Sequence, residues 1–465
     1  MKTAHDLEGQ QPNPSRTAAT GLAAHKHESY ALINATLLDG GENMQPQANM
    51  AVLTDGEKIT WVGPSACARV GANTRVIDLA GAYLMPGLIN MHVHLCGSGQ
   101  PISNGGASGI MGILDNPVGH LVVKKVLSGS AQQQLASGVT TIRDAGDPLY
   151  GDLMAREAVE SGRMEGPRIV AAGTGITVPG GHGAGLFAQV ANSPEEAAAM
   201  VRDLFARNVD VIKLFITGGV FDATVAGEPG VVKMSLEVAR AACAEAHRLN
   251  LPVMAHVEST EGVRLALEAG VDTVEHGAPM DDEITELYRG AAKTQLPGRA
   301  PSVTCTISPA LPFVKLPPEK TRSTEVQKVN GDIVCDGIVR SAKQALAAGI
   351  PVGLGTDSSC PYVTQYDMWR ELAYFAKYVG VTNAFALHTA TQINARLLGL
   401  GDVCGTVAAG FDADLIVCEA NPLEDLSALR DVSRVFARGN LVRHVRVKHL
   451  KELDAELDGI MAMPA

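Results

Sequence analysis

The stretch LINMHVHL, residues 88–95, decides the fold. It is apolar at positions destined for both faces of a strand, as in a parallel sheet covered by helices on each side. Yet it carries His92 and His94 two residues apart. Side chains alternate along a strand, so both imidazoles emerge on one face. Seven further apolar runs of strand length follow: VTTIRDA (139–145), RIVAAG (168–173), DVIKLFIT (210–217), PVMAHVE (252–258), VDTVEH (271–276), SVTCTI (302–307) and PVGLGTD (351–357). Amphipathic helical stretches such as SPEEAAAMVRDLFARN (193–208) and SLEVARAACAEAHRLN (235–250) lie between them. Eight strand–helix units make a parallel sheet, and eight is the number that closes a (β/α)8 TIM barrel, an α/β fold.

In such a barrel the reacting groups come from the C-terminal ends of the strands and the loops after them. Strand 1 brings His92 and His94, strand 4 Lys213, strand 5 His256, strand 6 His276 and strand 8 Asp357. Singly, each has a bland explanation: a satisfied polar pair, a snorkelling lysine, structural histidines, or a carboxylate capping the next segment. Lys213 sits within VIKLFI, where a buried ammonium is costly and a neutral amine is favoured. Jointly, the bland readings require five independent accidents at one end of one barrel.

Composition narrows the function. Lys plus Arg total 38 against 50 for Asp plus Glu, a net charge of −12, which argues against a basic stripe for nucleic acid. With 46% of its 465 residues hydrophobic, the chain has enough apolar surface for a large core. The same apolar richness favours association into a homo-oligomer. Eight cysteines without a C-x-x-C pair imply neither a disulfide framework nor a zinc ribbon. Because there is neither an 18-residue apolar run nor an apolar N-terminal core, we expect a soluble, cytoplasmic protein without a membrane partner.

The chain divides into four parts. Residues 1–28, with His25 and His27, read as a disordered arm. Residues 29–87 hold short β-rich runs with Asp55-Gly56 as a hairpin turn, a small antiparallel unit. Residues 88–399 form the barrel. Residues 400–465 return to short strands, so a β-sandwich built from both chain ends is expected, with the basic tail LVRHVRVKHLKELD (441–454) as a strand with a solvated face.

The strings PGLINMHVHL, SGVTTIRDAG, DVIKLFITGGV, AHVES, VEHG, GLGTDS and ATQINARLLGL together resemble the landmarks of the amidohydrolase superfamily, in its order. The tail GTVAAGFDADLIVCEANPLEDL is similar to that superfamily's return to its flanking sandwich. The resemblance covers about residues 30–440. It implies a binuclear centre, most often zinc: His92, His94 and Asp357 on the buried ion, His256 and His276 on the outer one. A carbon dioxide carbamate on Lys213 and a hydroxide would bridge the two. The hydroxide would attack an amide carbonyl while Asp357 acts as general base and then acid.

Lys213 followed by Thr217-Gly218-Gly219 resembles the branch of metal-dependent dipeptidases and Xaa-Pro or Xaa-Arg carboxypeptidases, to which imidazolonepropionases and ochratoxin amidases are related. In that branch a segment like TVPGGHGAG (177–185) helps hold the substrate's carboxylate, which makes His182 a substrate-binding candidate. The branch's tyrosine before strand 5 is replaced by Met234, a departure that bears on dipeptide specificity. Tyr362, Tyr366 and Trp369 are aromatics available to pack a substrate, with core packing as the competing explanation. Cys96 and Cys360 read as pocket lining and His388 as structural. The resulting expectation is hydrolysis of a dipeptide or N-acyl amino acid. The alternatives are opening of a cyclic amide or lactone, a catalytically inactive scaffold, and, less favoured, deamination. Deaminases of this superfamily carry an acid where Ser259 stands.

Overall fold

The computed structural model describes residues 28–101, 116–220, 223–443 and 445–464. All but Glu28 of the N-terminal arm, and most of the loop after the His92–His94 strand, lie outside the described residues. Five strands come first: β1 (Ser29–Leu37), β2 (Gln47–Asp55), β3 (Lys58–Pro64), β4 (Thr74–Asp78) and β5 (Tyr83–Pro86). The central section contributes β6 (Leu88–Val93), β7 (Val139–Asp144), β8 (Arg168–Val170), β9 (Gly175–Thr177), β10 (Ala188–Val190), β11 (Ile212–Phe215), β12 (Val253–Val257), β13 (Thr273–His276), β14 (Ser302–Cys305) and β15 (Val352–Leu354). Strands β16 (Leu415–Cys418), β17 (Arg434–Ala437) and β18 (Asn440–Leu441) follow.

The central strands form two ladders in which every pairing is parallel. One runs β6-β7-β8 and the other β10-β9-β11-β12-β13-β14-β15. They meet at two places. Strands β8 and β9 are consecutive, separated by a break that includes Gly173 at φ 73°. Beyond β15, the Thr356 and Asp357 amides donate to the His92 carbonyl at 3.2 and 2.9 Å, and a parallel bridge joins Val93 to Ser358. The single strand expected at 168–173 is thus shorter, ending at Val170.

The helices between strands begin where a polar cap satisfies the first free amides. Ser193, Ser235, Ser259 and Asp281 each accept from an amide of the first turn of the helix that follows. Thr324 and Gln327 make a reciprocal capping box at the start of Glu325–Ala347. The apolar faces of these helices, including Val201, Val263 and Ile338, are buried against the ladders.

Both chain ends do enter one sheet, ordered β18-β17-β16-β5-β1-β2-β3 with β4 also on β1. It is mixed, which corrects the expected antiparallel unit. The edge of β1 is shared along its length, first by β4 and then by β5, both parallel to it. Residues 65–73 cross over between β3 and β4 where a hairpin would have given the opposite direction. Leu32, Val52, Leu84, Leu415 and Phe436 pack as this sheet's own core. Arg168 on β8 reaches Asp412 at 2.6 Å, tying the central ladders to the segment entering β16. The strand expected over residues 441–454 is also corrected. Beyond β18 the chain is irregular and then forms the helix Lys451–Ala462, whose Leu453, Leu457 and Ile460 are buried on one face. Among the described residues, no helix is long and apolar enough to cross a membrane.

Candidate metal centre

Six of the predicted residues converge. His92 and His94 leave β6 on the same side, Lys213 comes from β11, His256 from β12, His276 ends β13, and Asp357 follows β15; all are buried. His92, His276 and Asp357 each offer a donor atom within 4.8 Å of the other two. The His256 ring lies 4.7 Å from that of His276, and the His92 ring 5.0 Å from it, centre to centre. Asp357 Oδ1 stands 3.4 and 3.5 Å from the Nε2 atoms of His92 and His94. The Cys360 thiol donates to Asp357 Oδ2 over 3.4 Å.

Each ring is held by its other nitrogen. His92 Nδ1 pairs with Glu275 Oε2 at 2.7 Å, and His94 Nδ1 with the Gly146 carbonyl at 2.6 Å. His276 Nδ1 pairs with Thr306 Oγ1 at 2.7 Å. His256 is reversed: its Nε2 meets the Gly218 carbonyl at 2.8 Å, leaving Nδ1 for the cavity. Such outer partners set the tautomer and aim the remaining lone pair. Burial is the largest influence on all four imidazoles and pushes each pKa down, well below the ordinary value for His92 and His256 and to about 3 for His276. They are therefore neutral, the form that ligates metal.

Lys213 is fully buried, and among the described residues its Nζ has no hydrogen-bond partner. It lies over the Phe215 ring at 4.9 Å. Burial lowers its pKa to about 8, opposed by Glu275 and Asp357. An amine so placed is available for reaction near neutral pH. His276 and Asp357 both adopt left-handed backbone conformations, φ 69° and 57°, unusual for residues other than glycine and a strain that clusters at working sites.

The centre opens into a cavity of about 230 Å³. His182 lines it, stacked on His256 with ring centres 4.6 Å apart. This approach requires glycine at 219, where a Cβ would stand 2.5 Å from the His182 ring. Cys96 and Cys360 line the wall as expected. Tyr362 is not brought there: its backbone turns at φ 69° and its hydroxyl donates to the Lys320 carbonyl. Tyr366 and Trp369 are buried away from the cavity, the former bonded to Asp454 and the latter packed on Arg370. Met234 is buried in the core, and His388 holds the Gly40 carbonyl.

Sequence reasoning did not find the charged layer beneath the centre. Arg143 on β7 is buried and bonds Glu275 Oε1 at 2.7 Å, as well as the Met91 carbonyl, Thr273 and Thr304. Asp147 accepts from the Leu95 and Cys96 amides and so fixes the exit of β6. The available signal was an arginine inside VTTIRDA and an acid inside VDTVEH, charges with no place in a buried strand unless paired.

Known proteins supply the final comparison. Ochratoxinase of Aspergillus niger is 25% identical over 456 residues, spanning 91% of this chain and 88% of its own. A Bifidobacterium longum protein solved as a candidate prolidase superposes with a TM-score of 0.83 at 37% identity, covering 94% of this chain and 99% of its own. A Xaa-Pro dipeptidase solved with methionine in its active site gives 0.76 at 28%, over 90% and 100%. Residues 83–442 match the sequence profile of the amidohydrolase family, and the chain belongs to that family as a hydrolase of carbon–nitrogen bonds.

Proposed function

We propose that the two parallel ladders complete an eight-stranded barrel, with β8 and β9 as its broken third strand, and that the barrel's mouth is a binuclear metal centre. The reaction would be hydrolysis of the amide bond of a dipeptide or N-acyl amino acid. The observation that carries this reading is the Lys213 amine, buried without a hydrogen-bond partner among the described residues, amid four neutral imidazoles and the Asp357 carboxylate. The donor set fits divalent ions such as zinc, since imidazole and carboxylate are its usual nitrogen and oxygen ligands. His92, His94 and Asp357 would hold one ion and His256 and His276 the other. Lys213, as the carbamate formed by adding carbon dioxide with loss of a proton, would complete both ligand sets. Bound there, the ions supply Lewis acidity and lower the pKa of water.

The chain's own residues do the rest. Asp357 accepts a proton from the attacking water and returns it to the leaving nitrogen, so that the C–N bond breaks as a carboxylic acid and an amine form. Its Oδ2 is steadied by the Cys360 thiol. His182, stacked on His256, would meet the substrate's carboxylate. The cavity is small beside the roughly 300–1,000 Å³ of drug-sized sites, which favours a small amide over a long peptide. Ser259 caps the helix Thr260–Ala269, a structural task rather than the proton transfer a deaminase would require.

The test is mass spectrometry of metal-loaded protein with dipeptides, N-acyl amino acids and cyclic amides. Two fragments from a linear amide support the reading. A single product heavier by one water moves the assignment to ring opening, and loss of ammonia alone moves it to deamination. Asp357→Asn should lower turnover by about 10²- to 10⁴-fold, the usual contribution of a positioned acid–base group. Near-normal turnover of that variant would refute the proton-shuttle assignment.

A further inference from the structure

A second cavity, of about 340 Å³, opens at the other end of the parallel ladders, where the chain enters the strands instead of leaving them. Residues 208–211 lead into β11, 250–252 into β12 and 296–299 toward β14, while Thr273 opens β13. No residue of the candidate metal centre lines it. Its size is within the roughly 300–1,000 Å³ of small-molecule sites. Phe205, Val209, Leu251, Leu296, Leu398 and Leu400 give it an apolar wall.

Two arginines also line it. Arg143 is matched by Glu275 at 2.7 Å. Arg299 is partly buried, and among the described residues it makes no ion pair; its hydrogen bond runs from Nη1 to the Leu397 carbonyl at 3.2 Å. Burial lowers its pKa against the pull of Asp272, and Arg143 lowers it further. The Asp272 oxygens are engaged by His247 Nε2 and by the Val253 and Leu296 amides. Asp210, the acid on the cavity wall, is held by Arg156 at 2.5 Å and by the Ala171 amide at 2.9 Å. Room for the Arg299 guanidinium depends on Gly399, at φ 75°, where a Cβ would stand 2.7 Å from Nη2. A guanidinium partly removed from water without a counter-ion is costly, and an anion beside it relieves that cost. Its planar fork matches the two oxygens of a carboxylate. Asp210 on the same wall disfavours a doubly charged ligand, and the leucines accommodate a hydrocarbon body.

We propose that this cavity is a second ligand site, which binds a small monocarboxylate with an apolar body and uses Arg299 as the receptor for its charge. The site stands apart from the candidate metal centre and does not depend on the amide-hydrolase reading.

Equilibrium dialysis of the full-length, metal-loaded protein against isotopically labelled hexanoate, hexan-1-ol and inorganic phosphate tests it. Hexanoate should bind saturably with a Kd at or below about 1 mM. Hexan-1-ol, which keeps the body and loses the charge, should bind about tenfold to a hundredfold more weakly, as for the loss of a hydrogen bond to a charged group. Phosphate, which keeps the charge and loses the body, should also bind more weakly than hexanoate. In Arg299→Gln the affinity for hexanoate should drop toward that for hexan-1-ol. Leu398→Trp fills the cavity and leaves Arg299 in place, and should weaken hexanoate and hexan-1-ol together. Hexanoate binding undiminished in these variants would place the carboxylate elsewhere, such as on the metal ions, and overturn the proposal. Equal affinity for hexanoate and hexan-1-ol, tighter binding of phosphate, or no saturable binding of hexanoate would each overturn it in the wild type, even if neither variant folds.

Discussion

Replacing Glu275 by glutamine keeps the shape of the side chain and removes one negative charge that two partners share. Glu275 is fully buried, 2.7 Å from Arg143 Nη2 on one oxygen and 2.7 Å from His92 Nδ1 on the other. Breaking such a buried pair leaves the guanidinium uncompensated, a loss of about 3–5 kcal/mol. Because Arg143 keeps its bonds to the Met91 carbonyl, Thr273 and Thr304, we expect the lower end, about 3 kcal/mol. The second effect is on His92 as a proposed metal ligand. With its amide oxygen kept toward Arg143, the glutamine presents its NH2 to His92 Nδ1, which must then accept. The ring proton moves to Nε2 and removes the lone pair aimed at the centre, and loss of an outer partner of this kind weakens metal binding by about 10- to 100-fold. The two effects separate in Arg143→Met combined with Glu275→Gln: most of the stability returns, since no buried charge is left unpaired, while metal affinity stays low. Urea midpoints of the metal-free proteins measure the first effect, and competition with a chromophoric chelator the second. A double variant no more stable than Glu275→Gln alone, or one that regains metal affinity, would refute the reasoning.

Lys213→Ala should reduce bound metal from two ions per chain to one or none, read by elemental analysis; two retained ions with full activity would remove the bridging role. Gly219→Ala puts a methyl group against the His182 ring, and KM should rise severalfold with kcat little changed if His182 contacts the substrate. Glu371 has its pKa raised from 4.5 to about 7, chiefly by burial, against the bonds it accepts from Ser308 and the Ile307 amide. Its folded state therefore favours the proton: the stability it contributes is complete below pH 4.5 and is lost as pH rises through 7. That window is worth about 3 kcal/mol. Glu371→Gln, which cannot titrate, should flatten the fall in urea midpoint between pH 5 and 8; an unchanged slope would assign the pH dependence to other groups.

The parallel strands and most of the candidate centre were legible because burial on both faces writes a continuous apolar run, and because a polar side chain at a strand's end interrupts that run visibly. His92, His94, Lys213, His256, His276 and Asp357 are such interruptions. What was not legible depends on the path of the chain in space. Arg143 and Glu275 belong to strands far apart in sequence, and nothing local marks them as partners. Parallel pairing of β4 and β5 with β1 follows from a crossover, and strand patterning does not encode direction. Tyr362 looked available beside Asp357, but its left-handed backbone sends the hydroxyl to Lys320. The C-terminal helix had a readable signal, since Leu453, Leu457 and Ile460 follow helical spacing. The preceding alternation in LVRHVRV carried the strand expectation past its proper end.

The sheet assembled from both chain ends sets an order of events during synthesis. β5 pairs with β1 on one edge and with β16 on the other, and β16 is translated roughly 330 residues later. At about 5–20 residues per second the nascent chain carries an open β5 edge for roughly 15–65 seconds. Leu84 and Met85, both wholly buried in the finished protein, lie on that edge. Unpaired apolar edges are templates for association with other chains. Soluble yield of this protein should therefore respond to elongation rate and to ribosome-associated chaperones more than its final stability would suggest.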